Sequence, residues 1–116
     1  MSGQTAYRAP DLLINGQWRT GRHAMTVAIV NPATTETLDQ LHLANQEDIS
    51  QALQAAQQGF EAWRQVPAFD RCARLEKGVA RMREQIEHIA TLLTLEQGKP
   101  LAEARAECAM AADLIK

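Results

Sequence analysis

The apolar residues change their period near residue 45, and that change divides the chain into a β part and a helical part. Before it, short apolar runs flank turn signals. "LLINGQWR" sets Asn15-Gly16 between apolar flanks. That pair suits a two-residue type I′ hairpin, because both central residues must take φ > 0. "TGRH" follows as a loop. "TVAIVNP" is a second β-rich run carrying Val27, Ile29 and Val30 and ended by Pro32, and "ETLDQLHLA" reads as a short returning strand. Residues 1–11 form an N-terminal arm, and the strands fall within about 12–44, with exposed edges.

After residue 45 the gaps become three and four. Asn45 is a good N-cap, and Asp48 places negative charge in the first turn. Ile49, Ala52, Leu53, Ala56, Phe60 and Trp63 define one face of a helix over about 46–64, broken at Gln65-Val66-Pro67. A second helix is expected over about 68–97. Leu75, Val79, Met82, Ile86, Ile89 and Leu93 form a narrow seam along it, and Arg83 with Glu87 suits a weak i,i+4 pair of about 0.3 kcal/mol. Gly78 inside that stretch costs on the order of 1 kcal/mol relative to alanine, which weakens a coiled-coil reading of the seam. Gly98 reads as the terminator, and Pro100 as the first residue of a third helix over about 100–116, with Leu101, Ala104, Cys108, Ala111 and Ile115 on one face. The apolar period is still running at Lys116, which reads as a cut rather than a finished end.

Composition narrows the function classes. Of 116 residues, 46% are hydrophobic but only 4% aromatic, so packing falls to a few large aliphatic side chains. The net charge of -2, with both signs interspersed, leaves no basic stripe for nucleic acid. No apolar stretch approaches the roughly 20 residues that cross a membrane, and the first ten residues lack a signal-peptide core. Two isolated cysteines fit no CxxC or zinc spacing, so a reducing, cytoplasmic setting is expected.

Chemistry-bearing motifs are sparse. Gly98-Lys99 invites a phosphate-loop reading. A Walker A loop, however, needs glycine where Leu93 stands and Ser or Thr where Pro100 stands, so a tight helix junction is the better reading. His23, His42 and His88 are scattered without ligand-spaced partners and are expected on the surface. Cys72 and Cys108 have no adjacent histidine and read as buried structural thiols. Glu103 complements the dipole at the start of its helix. No GxGxxG stretch occurs. The residues alone describe an incomplete α+β module without an active site. A competing reading is a helical interaction module that uses the Leu75–Leu93 seam.

Five landmarks in order then carry a resemblance: "LLINGQW" at 12–18, "VNPATTE" at 30–36, "QALQAAQQGFEAW" at 51–63, "DRCARL" at 70–75 and "LTLEQGKPLAEARAE" at 93–107. Together they resemble the start of NAD(P)-dependent aldehyde dehydrogenases, with the Glu-Gln-Gly-Lys-Pro-Leu version most like the succinate-semialdehyde branch. The resemblance implies an α/β fold of which only the N-terminal part is present, short strands followed by three helices. Residues 12–116 would then be the first portion of the NAD(P)-binding domain. It implies a complete enzyme, homo-oligomeric, that oxidises an aldehyde to the acid with NAD or NADP. In that chemistry a cysteine thiolate attacks, hydride leaves for the nicotinamide, and a glutamate-activated water releases the product. No residue of this chain corresponds to those groups, so no catalytic, cofactor-binding or metal-binding residue is assigned here, and the fragment alone is expected to be inactive and to bind no cofactor. The family often has glycine where Thr35 stands, so a turn there needing φ > 0 would be strained.

Overall fold

The computed structural model describes residues 7–115. These fall into two compact units, one comprising the chain up to Val30 with Glu36–Gln65, the other Asn31–Thr35 with the chain from Val66 onward.

The first unit holds two antiparallel hairpins and one helix. Strands β1 (Leu12–Ile14) and β2 (Gln17–Arg19) pair Leu12 with Arg19 and Ile14 with Gln17. Asn15 and Gly16 remain as the turn, at φ 51° and 73°. Both angles are positive, as a type I′ turn requires. Strands β3 (Thr26–Val30) and β4 (Thr37–His42) pair antiparallel, with a register shift between Ile29 and Val30. Part of the expected N-terminal arm is tied down. The Ala9 amide donates to Asp39 Oδ2 at 2.7 Å, which holds that carboxyl below its usual range. Residues 1–6 of the arm lie outside the described residues.

Helix α1 (Gln46–Arg64) begins with a complete capping box: Asp48 N donates to Asn45 Oδ1 at 2.8 Å, and Asn45 N donates to Asp48 Oδ2 at 3.1 Å. Two of the orphan amide donors of a helix start are thereby satisfied. Helix α1 contacts β1, yet its expected apolar face stays open, with Ile49 46%, Leu53 68% and Phe60 57% exposed.

The second unit corrects the helix count. The expected helix over 68–97 is two, α2 (Ala68–Glu84) and α3 (Ile86–Gln97), followed by α4 (Leu101–Ile115). The break is Gln85, at φ -107° and ψ 13°, whose amide turns back to Met82 O at 3.2 Å before the ladder resumes with Ile89 N to Gln85 O at 3.0 Å. Neither glycine nor proline marks the place. Both segments pack on α4, and a bend allows each to follow it. The tightest packing joins Ala90, Ala104 and Cys108, with Ile86, Ile89, Leu93 and Leu101 against them. Small side chains at the centre permit a close approach of helices α3 and α4. The buried stripe of α4 is Ala104-Cys108-Ala112, whereas the expected Ile115 is 50% exposed.

The bend also cancels the expected Arg83–Glu87 pair, because Gln85 interrupts the helix between them and an i,i+4 contact needs continuous helix. Each finds a partner on α4 instead. Arg83 bonds Asp113, and Arg105 grips Glu87 in a fork at 2.8–3.0 Å, holding that carboxyl below its usual range. Among the described residues no helix is long and apolar enough to cross a membrane.

Candidate functional site

Two places gather unusual geometry, one in each unit. In the first, Asp48 is completely buried although it belongs to the first turn of a helix. Besides the capping contact, it receives the Arg22 amide on Oδ2 at 3.0 Å and Arg22 Nε on Oδ1 at 2.8 Å. Arg19 Nη2 stands 3.6 Å from the same carboxylate, an ion pair beyond hydrogen-bond reach. One carboxylate therefore fastens the β2–β3 connection to the N-terminus of α1. The Arg22 amide is the foremost cause that holds the Asp48 carboxyl at about 2, against the opposing effect of burial. Gly21 completes the clamp by lying directly on the backbone of His42 and Leu43, and His23 N donates to Leu43 O at 3.0 Å. Each of these contacts is a fastening.

The second place is the corner Gly98-Lys99-Pro100. Gly98 sits at φ 71°, ψ 8°, the left-handed cap, and its amide donates to Thr94 O at 2.8 Å. The Pro100 carbonyl accepts from the amides of Glu103 and Ala104, so proline stands one residue before α4 rather than as its first residue. Lys99 is engaged by Glu107. A Cβ on Gly98 would lie 3.0 Å from Pro32 Cγ and 3.3 Å from Ala33 N. Chain thus already fills the space on the Cβ side of this glycine. Gly98→Ala should therefore cost about 1–2 kcal/mol from the left-handed strain together with the Pro32 contact. Urea unfolding of the variant beside the parent checks it, and an unchanged midpoint would contradict it.

The loop that meets Gly98 carries its own strain. Asn31 Oδ1 accepts from Ala33 N at 2.9 Å, and Thr35 N donates to Asn31 O at 2.7 Å, which places Thr35 at φ 63°. A β-branched residue in that region is strained by about 1–2 kcal/mol. Thr35→Gly is expected to stabilise the fold by roughly 1 kcal/mol, part of the relief being offset by the greater freedom of glycine in the unfolded chain. A raised denaturation midpoint is the readout, and a lowered one would show that the threonine is favoured by its surroundings.

The remaining sequence candidates are dispersed. His23, His42 and His88 are exposed, as expected. Cys108 is buried in the α3–α4 packing, but Cys72 is exposed, contrary to the expectation of two buried thiols. The early turns of α2 run past the packed part of their helix, and Leu75 beside Cys72 is itself 49% exposed. Among the described residues no group of three or more His, Cys, Asp or Glu is placed to hold a metal ion.

Comparison with known proteins gives these fasteners their context. Residues 18–116 match the Aldehyde dehydrogenase family. The chain belongs to that family. It is 67% identical over 110 residues to the 4-(hydroxymethyl)benzenesulfonate dehydrogenase of Comamonas testosteroni, which covers 95% of this chain and 23% of that protein. Against the NADP(+) succinate-semialdehyde dehydrogenase of Escherichia coli the identity is 36% over 104 residues, 90% of this chain and 22% of that protein. In structure it resembles a NAD-dependent benzaldehyde dehydrogenase from Corynebacterium glutamicum with a TM-score of 0.88 at 26% identity, covering 97% of this chain and 24% of that one. The chain thus spans about a quarter of the length of these relatives. The fold is that of the N-terminal part of an aldehyde dehydrogenase.

Proposed function

We propose that this chain is the N-terminal packing segment of an enzyme that oxidises an aldehyde to the carboxylic acid with NAD or NADP. The nucleophilic cysteine, the glutamate base and the dinucleotide-holding loop then belong to the rest of the whole protein, and the segment alone is inactive and binds no cofactor. Residues 12–116 begin the cofactor-binding domain. The enzyme is cytoplasmic and homo-oligomeric. The carboxylate of Asp48, the Gly98 corner and the α3–α4 core contribute by holding the segment's shape.

The 67% identity to a hydroxymethyl-arenesulfonate dehydrogenase carries the substrate reading. It favours a benzylic compound bearing an anionic ring substituent over succinate semialdehyde, which the Glu-Gln-Gly-Lys-Pro-Leu stretch suggested and which rests on 36% identity. Both substrates pair an anionic group with a carbon to be oxidised, so the difference is the aromatic ring. The test compares reduced-cofactor formation by the whole protein on 4-formylbenzenesulfonate and on succinate semialdehyde. A higher kcat/KM on the aryl aldehyde is expected, and the reverse order restores the succinate-semialdehyde assignment. The 116-residue chain should reduce no cofactor with either compound. Turnover abolished by Cys72→Ser or Cys108→Ser would overturn the assignment of catalysis to the rest of the protein.

The rival reading, an interaction module built on the Leu75–Leu93 seam, keeps an exposed Leu75 but has most of the seam drawn into the chain's own packing. Val79 is buried, and Ile86, Ile89 and Leu93 pack against the Ala90–Ala104–Cys108 core.

A further inference from the structure

The turn between β1 and β2 holds the asparagine whose surroundings leave it open to chemical change. An asparagine side chain can be attacked at Cγ by the backbone nitrogen of the residue that follows. The attack needs a hydrogen on that nitrogen, a small following residue and a side chain free to move. The chain has three asparagines, Asn15, Asn31 and Asn45. Asn31 precedes Pro32, whose nitrogen carries no hydrogen. Its side chain is also buried and accepts from Ala33 N at 2.9 Å. Asn45 precedes the longer Gln46, and its side chain is held in the capping box by Asp48 N at 2.8 Å. Asn15 precedes Gly16, and both residues are exposed. A Cβ added on Gly16 would meet nothing within 4 Å.

We propose that Asn15-Gly16 is a site of spontaneous deamidation and isomerisation in this chain. The Gly16 nitrogen bonds to Asn15 Cγ, and the side-chain amide nitrogen leaves as ammonia with the proton that the Gly16 nitrogen gives up. A cyclic imide remains, and water then adds to one of its two carbonyls. Addition at the former side-chain carbon gives aspartate. Addition at the former backbone carbonyl gives isoaspartate, in which the main chain runs through Cβ and Cγ of residue 15. Nothing is oxidised or reduced. Ring closure needs rotation about the Cα–C bond of Asn15 out of the type I′ geometry, so it proceeds when the hairpin opens. Strands β1 and β2 have three residues each, and a lone hairpin of that size is marginal.

The two products differ in consequence. Aspartate keeps the backbone length, and Asp-Gly suits the same turn. Isoaspartate adds a methylene to a turn whose length sets the pairing of Leu12 with Arg19 and Ile14 with Gln17. Ile14 is buried on the strand that contacts α1, and Arg19 Nη2 pairs with Asp48, so a lost register loosens both attachments. The proposal involves only Asn15, Gly16 and solvent water, and is independent of the substrate reading.

Ageing the 116-residue chain in mildly alkaline and mildly acidic buffer, followed by peptide mapping with mass spectrometry, is the test. The peptide holding Asn15 should gain the mass of an NH2-for-OH exchange, while those holding Asn31 and Asn45 stay unchanged. The change should be severalfold faster in the alkaline buffer, because the attacking nitrogen must lose its proton. Isoaspartate should exceed aspartate, which marks the imide route, since direct hydrolysis of the side chain yields aspartate alone. The purified isoaspartate chain should melt below the parent, whereas freshly purified Asn15→Asp should melt with it. An unmodified Asn15, a change at Asn45 ahead of it, or aspartate as the sole product would overturn the site. An isoaspartate chain that melts with the parent would overturn the loosening of the hairpin.

Discussion

Replacing Gly21 by alanine is expected to destabilise the chain by about 3 kcal/mol or more, the largest effect of any glycine substitution considered. An added Cβ would stand 2.3 Å from Leu43 O, 2.6 Å from Leu43 C and 2.7 Å from His42 O. These are backbone atoms at the end of β4, so no side-chain rotation relieves the overlap. The Gly21 segment must lift, and its neighbours lift with it. His23 N then leaves Leu43 O, and the two Arg22 donors leave Asp48. A buried carboxylate stripped of donors is far costlier than a lost surface contact. Gly59→Ala provides the contrast, because its added Cβ meets nothing within 4 Å and alanine favours helix by about 1 kcal/mol. Thermal melts followed by far-UV circular dichroism should therefore move in opposite directions for the two variants. Equal shifts would mean that the Gly21 loop yields without cost.

Sequence periodicity showed the local devices and missed those that depend on a distant partner. Asn15-Gly16, the Asn45 cap and Gly98 are legible because each answers a backbone demand of its own segment. Thr35 was legible too, as a misfit at a position with φ 63°. Gln85 was not, because the continuous gaps of three and four from Leu75 to Leu93 look the same whether the helix is straight or bent. Only α4, arriving from later in the chain, makes two segments better than one. The same lack of a partner explains the ion pairs: Arg83 and Glu87 are correctly spaced along a helix that is interrupted between them. Asp48 illustrates the limit most clearly. Its place three residues after Asn45 reads only as negative charge in the first turn, while the donors that bury it come from Arg22, 26 residues earlier. A Gly-Arg pair in a polar loop carries no signal of that role. No catalytic group was legible in the sequence.

Acid should release the Asp48 clamp. The carboxyl sits at about 2 in the folded chain against an ordinary value of 3.8, foremost because the Arg22 amide donates to it, with the Asn45 amide and Arg22 Nε adding to the hold. A depressed folded-state value means that the unfolded chain binds the proton more readily. The stabilisation is therefore fully present above about pH 5 and falls away as pH drops through 4 toward 2. Asp39 and Glu87 are shifted the same way by Ala9 and Arg105, so the acid limb of the parent is a sum. Asp48→Asn isolates one contribution. It keeps the size but puts an amide among donors, so Arg22 and the Asn45 amide lose an acceptor and face a competing N–H. The variant should melt lower at pH 7, by on the order of 10 °C. Its stability should also fall less steeply than the parent's between pH 5 and pH 2, so that the two curves converge in acid. Urea titrations at a series of pH values measure both features at once. Curves that stay parallel down to pH 2 would show that Asp48 carries no net linkage, and the buried carboxylate would then be a filler of space rather than the fastener of the β2–β3 loop to α1.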